Sequence, residues 1–542
     1  MEVEVLGNAM SLTSLLVLIA LGFIVLLLLN DYWAHGYWKR RGVPFEPPLP
    51  IIANMRVFAK GVVEAFEVMQ EKHGKVYGIY SFRTPVLVVG DPEMLRSITV
   101  KNFNSFHSRV DIPQAAGELR SMLSVMEGQR WKEVRNIVTP TFSAAKMKQM
   151  SNLINTNADT LVKYIGLKQE EKGRIECSEV FGSFVMDTIG SCAFGLNIDS
   201  QSNAGNPFVT NAKRAFKFDF QKPLFILGSL IPSLGRLMAN FRISMLIPAE
   251  VLDFFNDVTK KTINLRKEAV AGSNFKRVDF LQLLLDAQKQ ETVDKAVDHV
   301  EEDDENDIHD DLDKHHDVHY HTKTLGKRAP LTDEEVFAQV LIFFTAGAET
   351  TTTLLGFIFY ALSMNPDIQE KLINEVDEVT PSRDSVGYSS IATMPYLDQV
   401  VCETLRLYPP AGISNRMCNE TFVHNGLMIE KGTQVFIPVY TIHRDPDYWP
   451  EPEKFDPDRF TKEAKAKQHP FAWQPFGAGP RNCIGMRFAL METKMAVVRT
   501  LQNYRFETCA ETEIPPKFGR SGFLTPTNGV TLRAVPRTDK VA

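Results

Sequence analysis

Phe476-Gly477-Ala478-Gly479-Pro480-Arg481-Asn482-Cys483-Ile484-Gly485 places one cysteine on a glycine-rich loop, between an arginine and a glycine. Glycine takes left-handed conformations and lets backbone approach where a side chain would not fit. Such a loop can aim the N–H groups of Ile484 and Gly485 at a sulfur and moderate its charge. Phe476 supplies an apolar wall. A lone cysteine is more often a small buried hydrophobe than a ligand. The spacing F-x-x-G-x-R-x-C-x-G, with a helical run from Met486 to Leu501 behind it, reverses that expectation. Cys483 is therefore a candidate thiolate ligand, of the kind that holds a haem iron on its axis.

Upstream lies the longest helical pattern in the chain. Thr332 and Glu335 form a capping box at its start, and Pro366 after Asn365 ends it. Ala346-Gly347-Ala348-Glu349-Thr350-Thr351 occupies its middle. Ile342, Ala346 and Thr350 share one face, and the small residues leave room for a flat ligand. An acid and a hydroxyl inside an apolar helix cost free energy unless hydrogen-bonded. Glu349 and Thr350 are thus candidate functional residues, with a bond from Thr350 back to the Ala346 carbonyl as the structural alternative.

Three further patterns surround these. Glu403-Thr404-Leu405-Arg406 gives E-x-x-R on a helix expected from near Pro395 to before Pro409-Pro410. Trp131 and Arg135 lie four apart on another helix and reach the same side. Tyr77 to Val89 alternates and is rich in β-formers, which suggests a strand pair.

Taken in order, these motifs resemble the cytochrome P450 family. Thr441-Ile442-His443-Arg444-Asp445-Pro446 and Trp449-Pro450-Glu451-Pro452-Glu453-Lys454-Phe455 resemble the group of the family 3 drug-metabolising enzymes and thromboxane synthase. The resemblance implies a mainly α fold with a small β region, one catalytic domain over residues 51–542. It implies haem b ligated by Cys483, with Trp131, Arg135, Arg416, Arg481, Phe476, Ala346 and Gly485 around it. The segment Phe455-Asp456-Pro457-Asp458-Arg459-Phe460 matches the one whose arginine joins E-x-x-R, so Glu403, Arg406 and Arg459 form a structural network. Glu349 and Thr350 fall on the oxygen-activation motif, where the acid relays protons from solvent. A lipophilic substrate pocket is expected from Ser121, Ile342, Phe343, Ala411, Ile413 and Phe523. The implied reaction is hydroxylation of a xenobiotic, steroid or fatty acid, with NADPH electrons arriving through a diflavin reductase and with cytochrome b5 as a further candidate partner. Lys132, Arg487 and Lys494 are expected on the reductase-docking face. An endoperoxide isomerase like thromboxane synthase is the enzymatic alternative, disfavoured by the retained Thr350. A haem sensor is the non-enzymatic one.

Leu12 to Leu29 contains no charge and is long enough to approach a bilayer core. Glu2 and Glu4 precede it and Lys39, Arg40 and Arg41 follow. A retained anchor over residues 1–30 is expected, single-pass in the endoplasmic reticulum membrane, with the body on the cytosolic side. Trp33, Tyr37 and Trp38 sit where an interfacial belt would. Residues 31–50, with Pro44, Pro47, Pro48 and Pro50, read as an interfacial segment and a stiff extended hinge. A net charge of −6 gives no reason to expect nucleic-acid binding, and six scattered cysteines form no disulfide framework. Residues 291–327 are acidic and rich in histidine, and read as a solvated insertion and not as a metal site.

Overall fold

The capping box at Thr332 sets the axis of the molecule. Its hydroxyl accepts from Glu335 N at 3.1 Å, while the Glu335 carboxylate accepts from Thr332 N at 2.9 Å. From that start a helix of 32 residues, Asp333–Met364, runs through the core to Pro366. The helices Cys177–Ile189, Pro395–Leu407 and Met486–Leu501 pack against it, and Ala144–Lys172 packs behind the first and last of these. The computed structural model describes residues 2–5, 8–59, 61–113, 115, 117–203, 205–216, 223–243, 246–270, 279–289, 329–382, 386–520 and 522–538. The acidic stretch 291–327 lies outside the described residues.

The β region is small. Val76–Ser81 and Thr84–Val89 form the expected hairpin. Thr84–Val89 then pairs parallel with Gln434–Ile437, which pairs antiparallel with Ser414–Met417. A second sheet joins Tyr504–Glu507, Thr531–Pro536 and Ile175–Glu176. The fold is mainly helical with a small β region, as the motifs imply.

At the N-terminus the structure departs from the sequence reading. The helix Leu12–His35 runs past Leu29, because its last turns have partners. Asp31, 2% exposed, pairs with Arg83 and accepts from the N–H of Ile51. The Tyr80 hydroxyl donates to His35 O at 2.6 Å. Trp38 is no interfacial residue: it is buried, with its indole donating to Ile79 O at 3.0 Å. The proline stretch is extended but not free. Gly78 N donates to Pro44 O at 2.8 Å and Glu46 N to Gly78 O at 3.0 Å, which welds it to the sheet edge. The body therefore starts near His35, ahead of residue 51. Leu16, Leu18, Ile19, Leu26 and Leu29 on the first helix are exposed. Among the described residues, the one helix that passes a length-and-composition test for a membrane span is Asp333–Met364, which is a core helix.

Candidate active site

The cysteine loop is built by backbone bonds. Gly477 N donates to Gln474 O at 3.0 Å, Asn482 N to Gly479 O at 2.9 Å and Cys483 N to Phe476 O at 2.8 Å. Gly479 has φ +72°, and a Cβ there would meet Thr99 O at 1.9 Å, so only glycine fits. Cys483 is exposed at its surface yet enclosed at longer range, and burial pushes its thiol up. The Gly485 N–H, Arg135 and Arg109 pull the other way, which is the expected stabilisation of a thiolate.

Around this loop stand four guanidinium groups. Arg135 donates to Asn482 O at 3.0 Å and to its side-chain oxygen at 2.8 Å. Arg416, 1% exposed, donates to Asn415 O and Ala478 O, and its Nε has no partner. Arg481 donates to the carbonyls of His107, Leu123 and Met126 and lies 4.0 Å from the Trp131 ring centroid. Arg109, which sequence reasoning missed, donates to Arg481 O at 3.4 Å. None of the four makes an ion pair among the described residues. Burial, and then mutual repulsion, pushes Arg481 down to about 9. Burial likewise pushes Arg135 down to about 10, with Arg109 adding to the effect.

On the far side, the middle of the long helix faces open space. Ala346 is exposed although the turns beyond it are buried, and Ile342, Glu349 and Thr350 are partly so. The Thr350 hydroxyl donates to Ala346 O at 2.6 Å, so the back-bond foreseen as the structural alternative is present. Glu349 accepts from the Thr525 hydroxyl at 3.3 Å, and burial pushes its carboxyl up. The long helix meets the helix that follows the cysteine loop through aromatic rings: Phe343 lies 5.3 Å from Phe488 and 5.6 Å from Phe142.

Comparison with known proteins fits this geometry. A family model described as Cytochrome P450 matches residues 43–304 and 290–534, its two parts meeting in the acidic stretch. The chain belongs to the cytochrome P450 family. It is similar to cytochrome P450 3A9 of Rattus norvegicus, 37% identical over 99% of both chains. Cytochrome P450 3A6 of Oryctolagus cuniculus is 38% identical over 95% of both. Cytochrome P450 3A40 of Oryzias latipes is 37% identical over 98% of this chain and 99% of its own. The chain is a P450 monooxygenase, and the family implies haem ligated by a cysteine thiolate.

The residues present fit that group. Four unpaired guanidiniums and the orphan Arg416 Nε suit the two carboxylates of a haem. Cys483 is the one cysteine exposed at its surface among the six. Cys483 would hold the iron, and Arg109, Arg135, Arg416 and Trp131 would hold the rim. Arg481 adds charge there while clamping the cysteine loop to residues 107–126.

The E-x-x-R network of this P450 is complete. Arg406 donates to both oxygens of Glu403 at 2.7 and 2.8 Å, and both side chains are fully buried. Arg459 stands 3.6 Å from Glu403 as an ion pair, and Asp456 N donates to the same carboxylate at 2.8 Å. His443, which the motif reading passed over, links this network to the cysteine loop. Its Nε2 accepts from Gln474 N at 2.8 Å, which leaves Nδ1 to donate to Arg406 O at 3.2 Å. Gln339, also missed, bridges the long helix to Leu123 N and Ser121 O.

Other expected residues are spread more widely. Ala411 and Phe523 are brought together as a β-bridge, and Ile413 packs in a small core with Phe66 and Phe436. The Ser121 hydroxyl donates to Glu334 at 2.9 Å, at the outer end of the long helix. Lys494 is a correction: it is 1% exposed and paired with Asp398 at 3.0 Å, so it belongs to the core and not to a docking face.

Proposed function

We propose that this P450 hydroxylates lipophilic small molecules, such as xenobiotics, steroids or fatty acids, using O2 and electrons that NADPH delivers through a diflavin reductase. The observation that carries the reading is the cysteine loop ringed by guanidiniums without counter-ions among the described residues, in one core with a long helix whose exposed middle turn at Ala346 carries Glu349 and Thr350. When bound, haem supplies the oxygen chemistry. The chain's own part is to hold the group by its rim, exclude water with apolar walls and bring protons in through Glu349 and Thr350. Ile342, Ala411 and Phe523 supply apolar surface for a substrate, which needs few polar groups to orient it.

The body is read as lying on the cytosolic side of the endoplasmic reticulum membrane, anchored once by Leu12–Leu29. The exposed leucines there and the basic Lys39, Arg40 and Arg41 behind them support this. Lys132 and Arg487 remain candidates for docking the reductase, with cytochrome b5 as a second electron donor.

The test is a carbon monoxide difference spectrum of the reduced holoenzyme, then turnover of a steroid and fatty-acid panel with reductase and NADPH. A thiolate-type spectrum and reductase-dependent hydroxylation are expected. Thr350→Ala should lower product formation at least about tenfold while NADPH consumption continues. Reductase-independent rearrangement of an endoperoxide, insensitive to Thr350→Ala, would instead identify an isomerase.

A further inference from the structure

Glu349 has one side-chain partner among the described residues, and it does not lie on the long helix. Thr525 sits on the C-terminal loop and donates its hydroxyl to Glu349 Oε1 at 3.3 Å. Both residues line a cavity of about 210 Å³ between the helices Cys177–Ile189, Pro207–Phe216 and Asp333–Met364. Ser183, Thr352 and Thr353 place hydroxyls in a wall that is otherwise mostly apolar. Thr350, one residue along, is bonded to Ala346 O instead, so acid and hydroxyl are not bonded to each other. Successive helix residues are turned about 100° apart, which separates the cavity side from the Thr350 side.

We infer that Thr525 is a positioning residue for Glu349, holding the carboxyl turned toward this cavity, the side from which its proton is replenished. The inference rests on the proposed relay role of Glu349 and adds the residue that aims it. A short side-chain rotation then carries the acid between the cavity and the Thr350 side, a motion faster than turnover. Burial raises the Glu349 carboxyl, and the Thr525 hydroxyl opposes that rise by donating to the ionised form. The charged and titratable groups facing the cavity are Cys177 and Glu179 from one helix and Lys213 from another. Glu179 is already engaged by Lys168 at 3.1 Å and Lys172 at 3.7 Å. Thr525 is therefore the group that directs the Glu349 carboxyl and offsets part of the effect of its burial.

The test compares Thr525→Val, which keeps the volume, with Thr525→Ser, which keeps the hydroxyl, in the full-length holoenzyme. For Thr525→Val the carbon monoxide spectrum and substrate KM should stay at wild-type values. Product formed per NADPH should fall about threefold to tenfold, part of what a proton relay contributes. The pH limb of kcat should move upward, and Thr525→Ser should restore both. In a Glu349→Gln background, Thr525→Val should add no further loss. Wild-type coupling and pH profile in Thr525→Val would overturn the inference, as would an equal loss in Thr525→Ser. If Glu349→Gln itself left coupling unchanged, the relay reading would fail first, and that outcome is separable from the others.

Discussion

Glu492 is a carboxylic acid that the site does not use. It sits on the helix Met486–Leu501, 0% exposed, and neither oxygen has a hydrogen-bond partner. Thr188 faces it without reaching hydrogen-bond geometry, and burial pushes its carboxyl well above the usual range. The native state therefore holds this proton where the unfolded chain has lost it. Stability falls as pH rises above about 4.5, by roughly 1.4 kcal/mol per pH unit until the folded group ionises. Glu492→Gln removes that loss, so it should match the wild type in denaturant unfolding at pH 5 and exceed it at pH 8. Equal pH slopes for the two proteins would show that the acid is already paired. Nothing in sequence marks Glu492, because a helical pattern does not reveal which polar residue faces the core. Gly479 and Cys483 were legible for the opposite reason: their chemistry is local, fixed by neighbours along the chain. Arg109 was not, since it reaches the cysteine loop across the fold from an irregular segment.

At the scale of elements, the start and stop of the long helix were written in the sequence. Thr332, Glu335 and Pro366 act within a turn of themselves, and the helix they delimit is the one observed. The connections between elements were less legible, and His443 is the instructive case. It ties Arg406 to Gln474 and so braces the cysteine loop from behind. Burial holds its imidazole down at about 3, far below the ordinary 6.5. The unfolded chain thus binds a proton that the native state refuses, and stability is lost as pH falls below 6.5. Thermal melts from pH 6.5 to 4.5 in the Glu492→Gln background, which lacks the opposing slope of that acid, should show a steady drop. His443→Asn should melt lower at pH 7 but lose less on acidification. A variant that keeps the wild-type acid slope would place the titration elsewhere. Glu403→Gln attacks the same brace from its other end. It leaves Arg406 buried without its counter-charge and should cost about 3–5 kcal/mol in unfolding free energy.

At the scale of the whole molecule, the join between the first helix and the body was the part misread. Four prolines suggest a spacer because proline limits the backbone, but the partner that fixes Pro44 and Glu46 is Gly78, distant in sequence and visible only once the sheet edge is formed. Asp31 completes that join. It is buried, paired with Arg83 and bonded to Ile51 N, so the helix is latched to the strand edge and does not swing from a tether. Removing one side of this pair strands Arg83, which is partly solvated, so the cost is moderate, about 1–2 kcal/mol. That is enough to raise the population of the opened join about fivefold to thirtyfold. Lys39, Arg40 and Arg41 lie within the segment that opening would release. Trypsin should therefore cut the membrane-bound Asp31→Ala variant there several-fold faster than the wild type, while the carbon monoxide spectrum of the body stays unchanged. Proteolysis reports the opened population when closing outpaces cleavage, which low trypsin ensures. Cleavage at the wild-type rate would mean that Trp38 and Tyr80 hold the join without Asp31, and that the latch lies about two turns further along the chain.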